Sequence, residues 1–435
     1  MNAHSDIYLQ RRNRLQQQMQ QGIAIIPTAP EVARNADTHY SYRHDSSFYY
    51  LTGFKEPEAV LVLVAGESPR SILFCREKNL EREIWDGFRY GPDAAREAFG
   101  FDESYAIEKL DNKLPELMGN QPALYYPLGC DSVWDERVIG MRKAVQARVR
   151  NGIRAPDEIH DVRKLLDEMR LFKDEHELSI MRRAAAISTA AHRRAMRYTR
   201  PGRFEYQVEA ELLHEFCSHG ARHPAYTSIV AGGANACVLH YVGNDAMLNS
   251  GDLLLIDAGC ELDGYASDIT RTFPVNGVFT AAQRDVYQIV LAAQSAAIHA
   301  ARAGNQWDAP HQAALGVLAQ GFIDLKLCHG SVDEVLETES YKQFYMHRTG
   351  HWLGMDVHDV GDYKTGNDWR DLQPGMVLTV EPGCYIRPAA NVPEALANIG
   401  IRIEDDVVVT TDGNEILTEA APKTVTDIEA LMRKS

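Results

Sequence analysis

The chain has 435 residues, of which 45% are hydrophobic and 24% charged, and its formal charge is −16. A length beyond one ordinary core points to two domains, and the acidic balance argues against nucleic acid or an anionic membrane as partner, since basic surface holds both. Seven cysteines without a CxxC pair do not form the pattern of a disulfide framework and favour a reducing compartment.

No apolar run reaches the ~18 residues of a membrane span, and the N-terminus carries charge and glutamine where a signal peptide needs an apolar run. A cytoplasmic location is the expectation. Residues 6–21 read as a polar amphipathic helix closed by Gly22. GIAIIPTA, AVLVLVAG, SILFCRE and PALYYPLG are apolar, partly β-branched runs bounded by Gly or Pro, which is the pattern of strands. Helical stretches fall near 92–99 and 132–148, so residues 1–172 are expected to form an α/β domain with a mixed sheet. Its aromatic tract, Tyr40 and Tyr42 with Phe48, Tyr49 and Tyr50, reads as half-buried strand, with substrate contact as the competing reading.

Asp174, with Glu177 three residues later, has the spacing of a capping box. It opens a helix that stops before Pro201, and a second helix covers 205–219. Strand-rich sequence over 226–242 and helices at 281–303 and 309–326 follow. Residues 173–435 therefore read as an α+β domain in which two helices and paired strands occur twice, with antiparallel sheet.

A repeat organises this second section. GDLLLIDAGC (251–260) and GMVLTVEPGC (375–384) share glycine, leucine, glycine and cysteine positions and lay Asp257 over Glu381. Each copy has a second acid downstream, Asp268 in YASDITRTF and Glu404 in GIRIEDDVVV. A hairpin turning at Leu262-Asp263 would set Asp257 directly opposite Asp268, with Cβ atoms ~4.5–5.5 Å apart. Glu381 and Glu404 have the parity to oppose each other across a longer connection. Four facing acids repel and have raised pKa values unless a counter-charge is present. Two divalent cations supply it, so the pattern predicts a two-metal site. Oxygen donors favour Mn²⁺, Co²⁺, Fe²⁺ or Zn²⁺ over copper, and an imidazole ligand would separate these from Mg²⁺ or Ca²⁺. His347, His351 and His358 cluster in HRTGHWLGMDVH. Arg348 stands where an HExxH motif needs its glutamate, so a zincin is excluded. Gly350 and Gly354 let the backbone approach closely, and one histidine as ligand with polar neighbours is the expected division.

The set IDAGCELDGYASDITRTF, HRTGHWLGMDVHD, LTVEPGCYI and GIRIEDDVVV resembles the metallopeptidases of pita-bread catalytic fold, which include methionine aminopeptidase, prolidase and aminopeptidase P. The N-terminal run RNADTHYSYRHDSSFYYLTGFKEPEAVLVL and the length resemble the bacterial-type aminopeptidase P group. The resemblance implies five ligands, Asp257, Asp268, His351, Glu381 and Glu404, holding two divalent ions, Mn²⁺ foremost. It implies that His240, His347 and His358 line the substrate site. Arg402 is expected beside the ligands or against a substrate carboxylate, and Tyr385 close to the site. Trp85 would close the pocket, sometimes toward a neighbouring subunit, with plain packing as the competing reading.

The implied reaction removes the first residue from peptides whose second residue is proline, and the implied assembly is a homo-tetramer or dimer. Two ions ~3.5–4 Å apart would clamp and activate a bridging water. Glu381 would shuttle the proton, His358 would steady the oxyanion, and His240 and His347 would position the residue after the scissile bond. Prolidase is the alternative within the class. A metal-free pita-bread binding module is the alternative outside it, and the complete ligand set argues against that.

Overall fold

A computed structural model of the chain describes residues 3–433, and its contacts separate two compact units, Met1–Met169 and Arg170–Ser435. The first unit opens with α1 (Ala3–Met19) and is built on a six-stranded sheet. Its strands are β1 (Gly22–Pro27), β2 (Val60–Ala65), β3 (Arg70–Cys75), β4 (Glu103–Ala106), β5 (Ala123–Tyr125) and β6 (Glu158–His160), arranged β4-β3-β2-β1-β5-β6. The β1–β2 and β2–β3 pairs are antiparallel, whereas β1–β5, β3–β4 and β5–β6 are parallel, so the sheet is mixed. Ile23, Ile25, Val60, Val62, Ile72 and Phe74 form the buried face, and Leu110, Leu114, Val138 and Met141 cover it.

The aromatic tract departs from the strand expectation. Ser46–Thr52 is a helix, α2: Asp45 Oδ1 accepts the Phe48 N–H at 2.7 Å, and Gly53 ends it in the left-handed region at φ 66°. A cap at each end of the seven-residue helix outweighs the strand preference of Phe48, Tyr49 and Tyr50. Helix α3 (Leu80–Asp86) buries none of its residues and carries Trp85, which is 82% exposed. Helices α4 (Gly91–Phe99) and α5 (Ser132–Gln146) follow.

The second unit begins its helices with α6 (Glu175–Tyr198). Asp174 and Glu177 form the reciprocal capping box there, so two free N–H groups of the first turn are satisfied. Next come α7 (Glu205–Ser218) and β7 (Ile229–Gly232). Sequence over 226–242 is strand only in β7, because Gly233–Cys237 turns as a short 3₁₀ segment. The first copy of the repeat supplies β8 (Leu253–Asp257), β9 (Cys260–Leu262), β10 (Tyr265–Ala266) and β11 (Thr270–Pro274). Helices α8 (Ala281–Ala300) and α9 (Ala309–Asp324) precede the second copy, β12 (Val377–Val380), β13 (Gly383–Ile386), β14 (Ile399–Arg402) and β15 (Asp405–Thr410).

In both copies an antiparallel ladder is interrupted where the acids lie. The β8–β11 and β9–β10 ladders flank the first interruption, and β12–β15 and β13–β14 flank the second. The repeat glycines explain the shape. Gly251 and Gly375 both turn at positive φ, 97° and 90°. A Cβ on Gly259 would lie 1.6 Å from Ser267 O, and one on Gly383 would lie 2.9 Å from Ile401 O. Helix α6 fixes the first interruption from behind: Ser188 Oγ accepts the Cys260 N–H at 3.0 Å, and His192 Nε2 lies 2.9 Å from Ala258 O.

The first hairpin turns two residues' worth of register away from expectation. Asp263 and Gly264 are the turn, at φ 48° and 81°, the conformation that an Asp-Gly pair favours in a two-residue hairpin. Asp257 consequently faces Thr270, not Asp268. In the second copy, Val380 faces Asp405 and Gly383 faces Arg402, so Glu381 and Glu404 fall opposite one another as expected. All seven cysteines are free thiols, and among the described residues no helix is long and apolar enough to cross a membrane.

Candidate metal centre

The four acids close the two interruptions, and HRTGH brings the imidazole to them. Residues 349–351 run beside β12: Thr379 N–H donates to His351 O at 2.9 Å, and Glu381 N–H donates to Thr349 O at 2.8 Å. A Cβ on Gly350 would sit 2.1 Å from Thr379 O, so only glycine permits this approach. His351 Nδ1 donates to Trp352 O at 2.9 Å, which fixes the tautomer. Its Nε2 is thereby left facing Asp268 Oδ2 at 3.5 Å and Glu381 Oε1 at 3.6 Å. Ligand atoms of Asp268, His351 and Glu404 all lie within 4.8 Å of one another.

Asp257 enters from the other side. Arg402 Nη2 donates to Asp257 Oδ2 at 2.6 Å, Arg402 Nη1 to the Tyr385 hydroxyl at 2.9 Å, and Arg402 Nε to Thr270 Oγ1 at 3.1 Å. Arg402 is thus a buried neighbour of Asp257, with its donors turned inward. Tyr385 continues the chain to His347 Nε2 at 2.9 Å. His347 Nδ1 donates to Arg348 O at 2.7 Å, which places a proton on Nδ1; burial and then the Arg402 charge pull its pKa down to about 3. Arg348 itself pairs with Asp308.

Electrostatics test whether these residues fit a metal pair. Burial pushes the Glu404 carboxyl well above the usual carboxylate range, and Asp268, Glu381 and Asp257 add to the rise. Burial also raises Glu381 to about 7 against the opposing charges of His351 and Arg402. Asp257 is raised by burial despite Arg402. Asp268 departs from the expected rise: burial lifts it, but the hydrogen bond and charge of His351 and the Tyr226 hydroxyl bring it below its ordinary value. His351 mirrors this, held up at about 9 by Asp268 and Glu381 although burial works against its charge. Three buried carboxyls that resist ionisation and one imidazole with Nε2 aimed among them fit two divalent cations, which neutralise that crowding.

Several neighbours of these acids carry no recognisable signal in the sequence. The Tyr226 hydroxyl lies 2.5 Å from Asp257 Oδ1 and also reaches Asp268 Oδ1, bracing both acids. Thr270 Oγ1 donates to Glu404 Oε2 at 2.6 Å, and Thr379 Oγ1 to Glu381 Oε1 at 3.3 Å. Asp406 accepts the Asp268 N–H at 3.2 Å. The buried Glu205, first residue of α7, gathers the loop that carries His240. It accepts from Gly232 N at 2.7 Å, Asn235 Nδ2 at 3.1 Å, the Tyr241 hydroxyl at 2.8 Å and Ala246 N at 2.9 Å. His240 is exposed and close enough to His347 and His358 for its charge to lower their pKa values. The His358 ring stands edge-on to His351, centroids 4.3 Å apart. Trp85 lies in the first unit.

Residues 179–411 match metallopeptidase family M24, and residues 8–125 match the aminopeptidase P N-terminal domain. The chain belongs to metallopeptidase family M24. The Xaa-Pro aminopeptidase of Escherichia coli (strain K12) is 46% identical over 98% of this chain and 97% of its own. Human Xaa-Pro aminopeptidase 3 is 34% identical over 94% of this chain and 80% of its own. Among solved structures, Pseudomonas aeruginosa aminopeptidase PepP superposes with a TM-score of 0.97 at 50% identity, covering 99% of this chain and 98% of that one. Zinc-substituted E. coli aminopeptidase P in complex with product gives a TM-score of 0.97 at 46% identity, over 99% and 98% of the two chains. The M24 unit of this chain therefore has the pita-bread fold, and the unit before it has the mixed-sheet fold of the aminopeptidase P N-terminal domain.

Proposed function

We propose that the protein is a metal-dependent Xaa-Pro aminopeptidase, removing the N-terminal residue from peptides with proline in second position. What supports this reading is the cluster of Asp268, His351 and Glu404, with Glu381 3.6 Å from His351 and Asp257 joined to Asp268 through the Tyr226 hydroxyl, in an M24 chain that aligns nearly end to end with Xaa-Pro aminopeptidases. These five residues would hold two divalent ions, with Mn²⁺ preferred for an oxygen-rich donor set carrying one imidazole. When bound, the ions supply an activated water and polarise the scissile carbonyl.

The chain's own residues do the rest. Glu381 lies between His351 and His347; it takes the proton released on attack and delivers it to the departing proline nitrogen. That proton is needed because the nitrogen would otherwise have to leave as a strongly basic amide anion. His358 donates to the developing oxyanion. His240 and His347 hold the proline residue, and the Arg402–Tyr385–His347 chain of hydrogen bonds keeps His347 oriented. The first unit serves substrate access and assembly into a dimer or tetramer, with Trp85 available to a neighbouring subunit. A cytoplasmic location accords with seven free thiols.

Elemental analysis of purified protein, paired with hydrolysis of an X-Pro-X tripeptide and an X-Pro dipeptide before and after chelation, tests the reading. Tripeptide cleavage that disappears with the metal is expected. Cleavage of the dipeptide alone would reassign the protein as a prolidase.

A further inference from the structure

Residues 351–361 link two parts of the site without helix or strand, apart from one bridge at Trp352. They carry His351 at one end and His358 near the other. Among the described residues no hydrogen bond to the protein fixes the His358 ring, so the backbone of this loop sets where it points. The next residue is held from three directions. Asp359 Oδ1 accepts from Arg170 Nη2 at 2.6 Å, and Oδ2 accepts from Lys173 Nζ at 2.9 Å. The Asp359 N–H donates to Trp352 O at 2.9 Å, the same carbonyl that receives His351 Nδ1.

The cluster is built tightly. Side chains of Asp359 and Lys173 are each 1% exposed and that of Arg170 4%. Arg170 also holds Asp356 at 2.7 Å, and the Lys173 N–H is anchored on Gly375 O at 2.9 Å, just ahead of β12. A Cβ on Gly354 would lie 2.1 Å from Asp359 Oδ2 and 2.8 Å from Lys173 Cε, so the glycine makes room for the ion pair. Apolar side chains of similar volume commonly stabilise a fold as well as a buried ion pair does. What the pair adds is one defined geometry for a loop that secondary structure does not fix.

We infer that Asp359, clamped by Arg170 and Lys173, is the positioning residue for His358. It acts through the backbone and touches no substrate, and the inference rests on the oxyanion role proposed for His358. The test is a double-mutant cycle on the metal-loaded full-length enzyme with an X-Pro-X tripeptide, using wild type, Asp359→Asn, His358→Ala and the double variant. Asp359→Asn should lower kcat by about tenfold or more, leave KM within about twofold and keep the full metal content. In the His358→Ala background the same change should cost less than about twofold, because the group it positions is gone. A purely structural role would lower kcat by the same factor in both backgrounds, and that result, or wild-type kcat in Asp359→Asn, overturns the inference. Fully active His358→Ala would remove the oxyanion role and this inference together. Should Asp359→Asn not fold, Lys173→Met, which leaves Arg170 to hold the loop, is read through the same cycle.

Discussion

Chelation should destabilise the M24 unit, and by more at higher pH. Burial raises the Glu381 carboxyl to about 7 without metal, against an unfolded value near 4.3, so the folded apo state binds its proton more tightly than the unfolded chain. Its contribution is therefore unfavourable above that window: apo stability falls as pH rises from the unfolded value through about 7, by up to ~3 kcal/mol. Glu404, raised further by burial and its acidic neighbours, acts in the same direction. Bound divalent ions reverse both. Two sites each filled at about 100 times Kd add ~5 kcal/mol, and at ~2–4 °C per kcal/mol for a unit of this size the melting temperature should rise by ~10–20 °C. Calorimetry with and without chelator at pH 6 and pH 8 reads both effects. The metal-dependent shift should be larger at pH 8, since binding displaces protons. A shift that is absent, or equal at the two pH values, refutes the reasoning that crowded buried carboxyls create the site.

Three further outcomes follow from named contacts. Glu381→Gln should bind an X-Pro-X peptide yet hydrolyse it at least ~10²-fold more slowly, as general acid–base groups contribute about that much; equilibrium binding beside single-turnover kinetics separates the two. Tyr226→Phe removes the hydroxyl bracing Asp257 and Asp268 and should weaken metal affinity ~10-fold or more, read by competition with a chromophoric chelator. His44, stacked on Tyr49 at 4.0 Å and 8% exposed, has its pKa lowered to about 4 by burial and then by Arg43 and Lys55. Its unfolded form takes up the proton first, so its contribution is present above ~6.5 and lost as pH falls toward 4. Between pH 7 and 4.5, urea titrations should show wild type losing ~2 kcal/mol more than His44→Gln.

What the sequence made legible were features with a local signature. Asp174 and Glu177 cap α6 because both partners lie within one helical turn, and the repeat set Glu381 opposite Glu404 because a β ladder propagates its parity. The first hairpin turns at Asp263-Gly264, not at Leu262-Asp263, because an Asp-Gly pair adopts the positive φ values that a two-residue turn requires. A slip of two residues leaves every side chain on its own face, since the strand period is two. Asp257 and Asp268 therefore still meet, through Tyr226, although Asp257 faces Thr270. Helix α2 was hidden for the opposite reason, its short caps being outweighed on paper by an aromatic run. Tyr226, Glu205 and Asp359 left no trace at all. Tyr226 meets its acids 31 and 42 residues away and Asp359 meets Lys173 186 residues away, and no periodicity spans such gaps.

The two copies of the repeat do not build independent half-sites. Glu404 N–H donates to Thr270 O at 3.0 Å while Thr270 Oγ1 donates back to Glu404 Oε2 at 2.6 Å. Two residues along, Thr272 Oγ1 donates to Arg402 O at 3.0 Å. Each acid pair is thus oriented by the strand of the other copy, and Arg402, from the second copy, holds Asp257 of the first. Buried charges of one sign can be kept this close only where their geometry is fixed by such mutual bonds and their charge is met by cations. The interruption of each ladder is what makes that crossing available. A continuous ladder would spend the Glu404 N–H on its own hairpin partner, whereas the break at Ile403-Glu404 turns it toward β11. Duplicating a broken hairpin and packing the breaks together gives four acids one shared centre, which neither copy could form alone.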